Sequence, residues 1–290
     1  MKRIGIFTSG REDWNVQRLK EEAEKNGIAC TTFPLSELVA GLGERPRASC
    51  QGQDLENFDA LIVRWTPRGS AEQIIFRMDA LHRLENLGVR ILNPPGAIEK
   101  CADKFYTCSL LEDAGIPVPR TVITERYRDA MNAFLKLQDV IVKPLFGSLG
   151  AGMLRVNDRD LAYRLFTTLE FGKNVYYIQE YIPHLNQDLR AFVLNGEVIA
   201  SMKRIGESWK TNVARGARVQ AHELSAELKE VSVRAAKILG CEYAGVDLIE
   251  CGDKFYVTEV NSIPGWKGLQ SVTEINIAER ILSYLMGSLT

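Results

Sequence analysis

The chain has 290 residues, of which 46% are apolar and 25% charged, enough to bury a sizeable core in two or three compact units. With 36 Lys and Arg against 37 Asp and Glu the net charge is −1, which excludes a nucleic-acid or membrane-surface partner held by bulk charge; any anion site must be assembled locally. The six cysteines form no C-x-x-C pair, no apolar run reaches the roughly 18 residues of a membrane span, and MKRIGIFTSGRED is too poor in apolar residues for a secretion signal. Free thiols in a soluble, cytoplasmic protein are therefore expected.

In chain order, RIGIFT reads as a buried strand and DWNVQRLKEEAEKNG as a helix stopped at Gly27. IACTTF and FDALIVRW are strands. SAEQIIFRMDALHRLENLG is a helix with Ser70 as N-cap and Gly88 at its end, and the strand VRILN follows. Such alternation predicts an α/β unit, a small parallel sheet covered by helices. Asn93-Pro94-Pro95 punctuates the chain, so the first unit is residues 1–93. A helical pattern then runs to about residue 117, followed by the strand DVIVKP, the loop LFGSLGAGM, the strand LRV, a helix over 158–171 and the strand NVYYIQEYI. These form a second unit, residues 94–182. The third, residues 183–290, opens with the hairpin DLRAFVLNGEVIASMKR around an Asn-Gly turn. It continues with a basic stretch, the helix SAELKEVSVRAAKILG, the strands YAGVDLIE and DKFYVTEVN, and a last helix NIAERILSYLMGS. The second and third units read as α+β.

Four stretches carry unusual polar chemistry. In FGSLGAGM, Gly147, Gly150 and Gly152 leave backbone N–H groups free to approach phosphate oxygens, with Ser148 between them. The loop matches neither G-x-x-x-x-G-K-[ST] nor G-x-G-x-x-G, so on its own it is equally a glycine-rich turn. Lys143, ending an apolar strand just before it, favours an anion. Next, Gln179, Glu180, Tyr181 and Ile182 end a strand that can offer backbone groups to an adenine edge. Glu180 would accept from the exocyclic amine, with Ile178 and Ile182 as walls; an ordinary amphipathic strand is the alternative. Third, Arg190, Lys203, Arg204, Lys210 and Arg215 lie close together in sequence. With Asp188 and Asn212 they form either a solvated face or a converging pocket for phosphate and carboxylate. Arg190, Arg204 and Arg215 are the groups placed to stabilise developing anions.

The fourth is the pair of strands bearing Asp247, Glu259 and Asn261. A three-residue loop, Gly252-Asp253-Lys254, pairs Cys251 with Phe255 and brings Asp247 opposite Glu259, so that all three donors share a face at cross-strand separations of roughly 5 Å. Two carboxylates and an amide oxygen suit Mg2+, with Mn2+ as a substitute; a solvent-facing acidic hairpin is the bland alternative. His82 reads as a helix-face residue, and His184 and His222 as loop or surface residues. With no G-x-S-x-G elbow, covalent catalysis by the protein is not expected. Trp65, Trp209 and Trp266 fall in segments expected to border the cleft, where they either stack on a flat acceptor or, as tryptophans more commonly do, pack in the core or its rim.

Taken in order, Lys104, Lys143 and the glycine-rich loop, QEYI, Asp188 and Arg190, TNVARG, Asp247 and EVNSIPG resemble the ATP-grasp fold, in its branch of RimK-like carboxylate–amine ligases. The resemblance spans essentially the whole chain, with residues 1–93 similar to a pre-ATP-grasp domain. It implies that Lys104 and Lys143 hold the phosphates of ATP under the closing loop, and that Glu180 and Ile182 bind adenine. It further implies that Asp188 lies near ribose or substrate, that Asn212 and Arg215 face the phosphoryl centre, and that Asp247, Glu259 and Asn261 hold two Mg2+. EVNSIPGWKGLQSVTEINIAE and VRWTPRGSAEQIIFRMDALHRLE are similar to ligases adding L-glutamate to tetrahydromethanopterin-type pterins or to the deazaflavin coenzyme. The activity so implied is ADP-forming amide synthesis between a small-molecule acceptor and an amino acid, in a homodimer or homotetramer. Glutamylation of a protein C-terminus or carrier protein, and non-catalytic ATP binding, are the alternatives.

Overall fold

The computed structural model describes residues 2–10, 13–147 and 150–289. In the first unit β1 (Arg3–Thr8), α1 (Trp14–Lys25), β2 (Ala29–Pro34), β6 (Ala60–Val63), α2 (Ala71–Asn86) and β7 (Arg90–Leu92) form the expected parallel sheet, in the order β2-β1-β6-β7. Helix α2 starts at a capping box in which Ser70 and Gln73 satisfy each other's backbone N–H. Between β2 and β6 the chain adds a small antiparallel sheet, β3 (Leu38–Ala40), β4 (Ala48–Cys50) and β5 (Gln53–Asp54), which the sequence pattern does not announce.

The second unit comprises α3 (Pro95–Ala102), α4 (Lys104–Asp113), β8 (Thr121–Thr124), α5 (Tyr127–Leu137), β9 (Val140–Lys143), β10 (Leu154–Val156), α6 (Arg159–Phe171) and β11 (Tyr176–Glu180). Its antiparallel sheet runs β10-β9-β11-β8, and one face packs Val140, Val142, Tyr176 and Ile178 against Phe134 of α5 and Phe166 of α6. Ile178 is thus a core residue, not the cleft wall expected of it: strand alternation turns Tyr177 and Gln179 the other way. Helices α3 and α4 contribute Ala97 and Leu111 to a different core, shared with α7 of the third unit.

That third unit consists of β12 (Gln187–Leu194), β13 (Glu197–Ile205), β14 (Arg218–Ala221), α7 (Ala226–Leu239), β15 (Tyr243–Cys251), β16 (Lys254–Asn261), α8 (Lys267–Gln270) and α9 (Ile277–Gly287). Its sheet has the order β14-β13-β12-β15-β16. The β12–β13 turn is Asn195-Gly196, both at positive φ (50° and 76°), as a two-residue primed turn requires. One face of the sheet is covered by α7, and the other shares a core with the first unit: Ile4, Ile6 and Ile62 meet Phe192, Tyr243, Trp266 and Ile281.

The β15–β16 hairpin corrects one expectation and keeps its consequence. Cys251 pairs with Lys254, not Phe255, so the turn has two residues, Gly252 and Asp253. A bulge then places Asp247 opposite Glu259 while Leu248 pairs with Val257, leaving Thr258 as the extra residue. The bulge restores the register that the longer loop would have given. Trp266 takes the packing alternative and not the stacking one. It is 0% exposed, edge-on to Phe192 with ring centroids 6.2 Å apart, and cannot stack on a substrate in this arrangement.

Because the first and third sheets share one core, Phe192→Ala should cost about 3–5 kcal/mol. Calorimetry should show a single transition moved to lower temperature; two separated transitions would mean that the sheets unfold independently.

Candidate active site

A cleft lies between the β9–β11 sheet and the β12–β16 sheet. From the second unit, Lys143 and residues 179–182 line it; from the third, Asp188, Arg204, Asn212, Asp247 and Glu259. The sequence also left unnamed several groups that line it: Ile141, Met153 and Ile249 provide apolar wall, and Thr211 a buried hydroxyl. His184, expected on a loop or at the surface, lies on the loop before β12 but is buried in the cleft wall, its ring Nδ1 2.8 Å from the Gln187 carbonyl oxygen. Of the two other tryptophans, Trp209 lines the cleft and Trp65 stands exposed.

On the floor, four charges alternate in sign, three of them buried and the fourth, Arg190, partly so. Arg190 donates from Nε and Nη2 to the two oxygens of Asp247, both at 2.6 Å, and Arg204 reaches Asp247 at 3.1 Å. Arg204 also grips Asp188 in a fork at 2.6 and 2.5 Å, and Thr211 donates to Asp188 at 2.6 Å. Burial pushes both carboxyls up. Two guanidiniums outweigh it at Asp247 and hold that group below the usual range, whereas at Asp188, with one forked guanidinium and Asp247 nearby, burial prevails. The hydrogen-bond network assigns the Asn261 amide with its nitrogen donating to Glu259 Oε1 (3.2 Å) and its oxygen accepting from Arg190 Nη2 (3.3 Å).

Asp247, Glu259 and Asn261 therefore do share one face, as the spacing predicts. Among the described residues no three His, Cys, Asp or Glu gather at metal-binding distance, so a three-ligand set exists only with the Asn261 amide counted. All three are oxygen donors, which fits Mg2+ or Mn2+ and not zinc. Here the Asp247 oxygens are engaged by two arginines, so a cation at this face would share or displace those bonds.

Above the floor, the glycine-rich loop is held through its carbonyls by cations. Lys104 Nζ donates to the carbonyls of Gly147 (2.7 Å) and Leu145 (3.3 Å), Lys210 Nζ to Met153 (2.8 Å), and Arg215 Nη2 to Gly150 (3.2 Å). Gly150 has φ +65°, and a Cβ there would stand 2.4 Å from Asn212 Oδ1, so this position must be glycine. Gly152 (φ +75°) lies close to Pro144, and Ser148 falls outside the described residues. Lys143 makes no hydrogen bond or ion pair among the described residues; its Nζ sits 5.9 Å from the Tyr177 ring centroid. Desolvation lowers the pKa of both Lys104 and Lys143, Glu259 opposing the shift in each case. These are cations held short of counter-charge beside a cleft, as an anion site would hold them.

At the other end the Glu180 carboxylate accepts from the Arg120 backbone N (2.7 Å) and Nε (2.5 Å). The group expected to receive an exocyclic amine is thus bonded to a residue 60 positions away. Gln179 is buried, its amide donating to Thr121 Oγ1 at 3.0 Å.

Residues 101–285 match the model of the RimK-like ATP-grasp domain and residues 1–98 that of the RimK PreATP-grasp domain. The chain belongs to the RimK-like ATP-grasp family. It is an ATP-dependent carboxylate–amine ligase. It is 36% identical to the tetrahydromethanopterin:alpha-L-glutamate ligase of Methanocaldococcus jannaschii, over 98% of each chain. It is 29% identical to the alpha-aminoadipate–LysW ligase LysX of Sulfolobus acidocaldarius, over 94% of this chain and 97% of that one. The ATP-grasp ligase PsnB, solved with its minimal precursor, Mg and ADP, has the same fold at TM-score 0.77, with 23% identity, 99% of this chain and 97% of that one covered. No helix among the described residues is long and apolar enough to cross a membrane.

Lys143 gives this RimK-like ligase a test of stability against function. With its folded pKa below the unfolded one, the unfolded state binds the proton more tightly, so the penalty is full at low pH and fades as pH rises through the folded pKa toward the ordinary 10.5. Lys143→Met should therefore raise Tm at pH 7 by on the order of 2 °C, with the gap closing at alkaline pH, while ADP formation is lost. A lower Tm for the variant would show that the ammonium is compensated.

Proposed function

We propose that this ligase joins a carboxylate of a pterin-type coenzyme to the amino group of L-glutamate, through an acyl phosphate formed at the expense of ATP. What supports the reading of substrate is the likeness to tetrahydromethanopterin:alpha-L-glutamate ligases of three archaea, at 32–36% identity over nearly the whole chain. What supports the reading of chemistry is one juxtaposition. Lys143, with no counter-ion of its own, shares a cleft with Asp247 and Glu259, under a loop whose carbonyls are bridged by Lys104, Lys210 and Arg215.

In this reading backbone groups of residues 179–182 hold the adenine edge, with Ile141, Met153, Ile182 and Ile249 as its apolar walls. Lys104 and Lys143 take the phosphates, and phosphate charge offsets the desolvation that depresses them. Asp247, Glu259 and Asn261 would hold Mg2+, which supplies charge neutralisation to the phosphate oxygens when bound. Mn2+ serving in its place, and two ions in place of one, belong to the same proposal, as does a homodimer or homotetramer.

The acceptor carboxylate attacks the γ-phosphate; ADP leaves, and the glutamate amine then displaces phosphate from the acyl carbon. Arg190 and Arg215 stabilise the anions of those steps with Asn212, and Arg204 holds Asp188 and Asp247 in place. The amine reacts as its neutral form, so no general base of the protein is essential, although a carboxylate such as Asp188 can assist.

The experiment is ADP release with Mg-ATP and L-glutamate, with and without pterin, deazaflavin and peptide acceptors, following each acceptor's mass. A pterin heavier by one glutamyl residue is the expected product. Gain of that mass by a peptide instead would move the acceptor class to proteins, as in the LysW ligases. Arg215→Ala should lower kcat by about 10²–10³ with little change in Tm, since among the described residues its side chain makes one hydrogen bond, to the Gly150 carbonyl. Normal turnover in that variant would remove Arg215 from the mechanism.

A further inference from the structure

Arg64 directly follows β6 of the first unit, and it is only 4% exposed. Burying a guanidinium without an anion costs several kcal/mol, yet among the described residues Arg64 makes no ion pair. Its partners are neutral and belong to the other end of the chain. Nη1 donates to the Tyr243 hydroxyl at 3.1 Å, Nη2 to the Pro264 carbonyl at 2.8 Å, and the guanidinium lies over the Trp266 ring, 4.6 Å from its centroid. Among the described residues its Nε, the indole Nε1 of Trp266 and the hydroxyl of Thr8, which ends the neighbouring strand, have no partner. A hydrophobic residue would fill this junction at lower cost. Three orphaned polar atoms and an unpaired charge point to a constraint other than stability.

The position of the two acceptors supplies it. Tyr243, Gly245 and Asp247 alternate onto one face of β15. A Cβ on Gly245 would meet Pro264 Cβ at 3.0 Å and Arg190 Nε at 3.6 Å, so Pro264 is wedged against the strand next to the arginine that grips Asp247. Pro264 also follows β16, the strand that ends at Glu259 and Asn261. A single side chain of the first unit therefore fixes both carboxylate strands. Asn93, fully buried, reinforces the same corner by donating to the carbonyls of Tyr243 (2.7 Å) and Ser262 (2.6 Å).

We propose that Arg64 is a positioning residue of the ligase centre: it holds β15 and the end of β16 so that Asp247, Glu259 and Asn261 keep a common face, making the first unit a working part of the cation site. The proposal rests on the reading of those three residues as the cation ligands. It is tested with Mn2+ and ADP, by electron paramagnetic resonance of bound Mn2+, alongside kcat, KM for ATP and Tm. In Arg64→Met, Mn2+ affinity should fall about 10- to 100-fold with kcat falling in step and KM for ATP little changed, because the adenine side belongs to another sheet. Arg64→Lys should recover part of both, since an ammonium can still donate to Pro264. Tyr243→Phe removes one acceptor without changing the packing volume, and gives the same readouts if Arg64→Met does not fold. Lower Tm with Mn2+ affinity and kcat unchanged in the folded variants would make Arg64 a packing residue and overturn the proposal. Failure of the unaltered protein to bind Mn2+ with ADP would overturn the cation-site reading itself, and the proposal with it.

Discussion

The alternation Arg190–Asp247–Arg204–Asp188 is the interaction on which the site depends. Each forked pair joins residues that face each other across neighbouring strands, Arg190 with Asp247 between β12 and β15, and Asp188 with Arg204 between β12 and β13. A slip of one residue in either ladder would turn one partner to the opposite face and leave a buried charge unpaired, at several kcal/mol. The charges therefore lock the register of three strands at once. That register, with the bulge at Thr258, is what presents Glu259 and Asn261 beside Asp247. Electrostatics here sets geometry as much as reactivity.

The same economy of charge governs the roof of the cleft. Cations that would serve phosphates are bonded to loop carbonyls (Lys104 to Gly147, Arg215 to Gly150), and Lys143 waits without a partner. Carbonyl oxygens are weaker partners for a cation than phosphate oxygens, so a nucleotide can take these groups over without leaving a buried charge uncompensated. Glycine at 150 suits its positive φ and the close approach of the Asn212 side chain.

Much of this was legible in the sequence. The cap at Ser70 and the Asn195-Gly196 turn are local signals, and they placed their elements correctly. The order of polar motifs led to the family because each motif is short but their sequence of appearance is not arbitrary. Other features depend on partners far away in the chain. Glu180 is bonded to Arg120, and no local pattern announces that pair. Trp266 follows the metal-type motif by a few residues, and only the shared core of the two sheets decides that it packs inward. Helix α5 went unread because it has no side-chain cap at Arg126 and ends at Gln138 with φ 64°, where a glycine would have marked the stop. The Asp247–Glu259 pairing was anticipated through a longer loop; a bulge does the same work and leaves no trace in period-two alternation.

The central claim is that the acceptor carboxylate is activated by phosphoryl transfer, and isotope transfer tests it most directly. Tetrahydromethanopterin carrying 18O in its carboxylates would be incubated with the protein, Mg-ATP and L-glutamate, and the released phosphate weighed by mass spectrometry. An acyl-phosphate route leaves one 18O in each phosphate released. Unlabelled phosphate accompanying glutamylated product would contradict it.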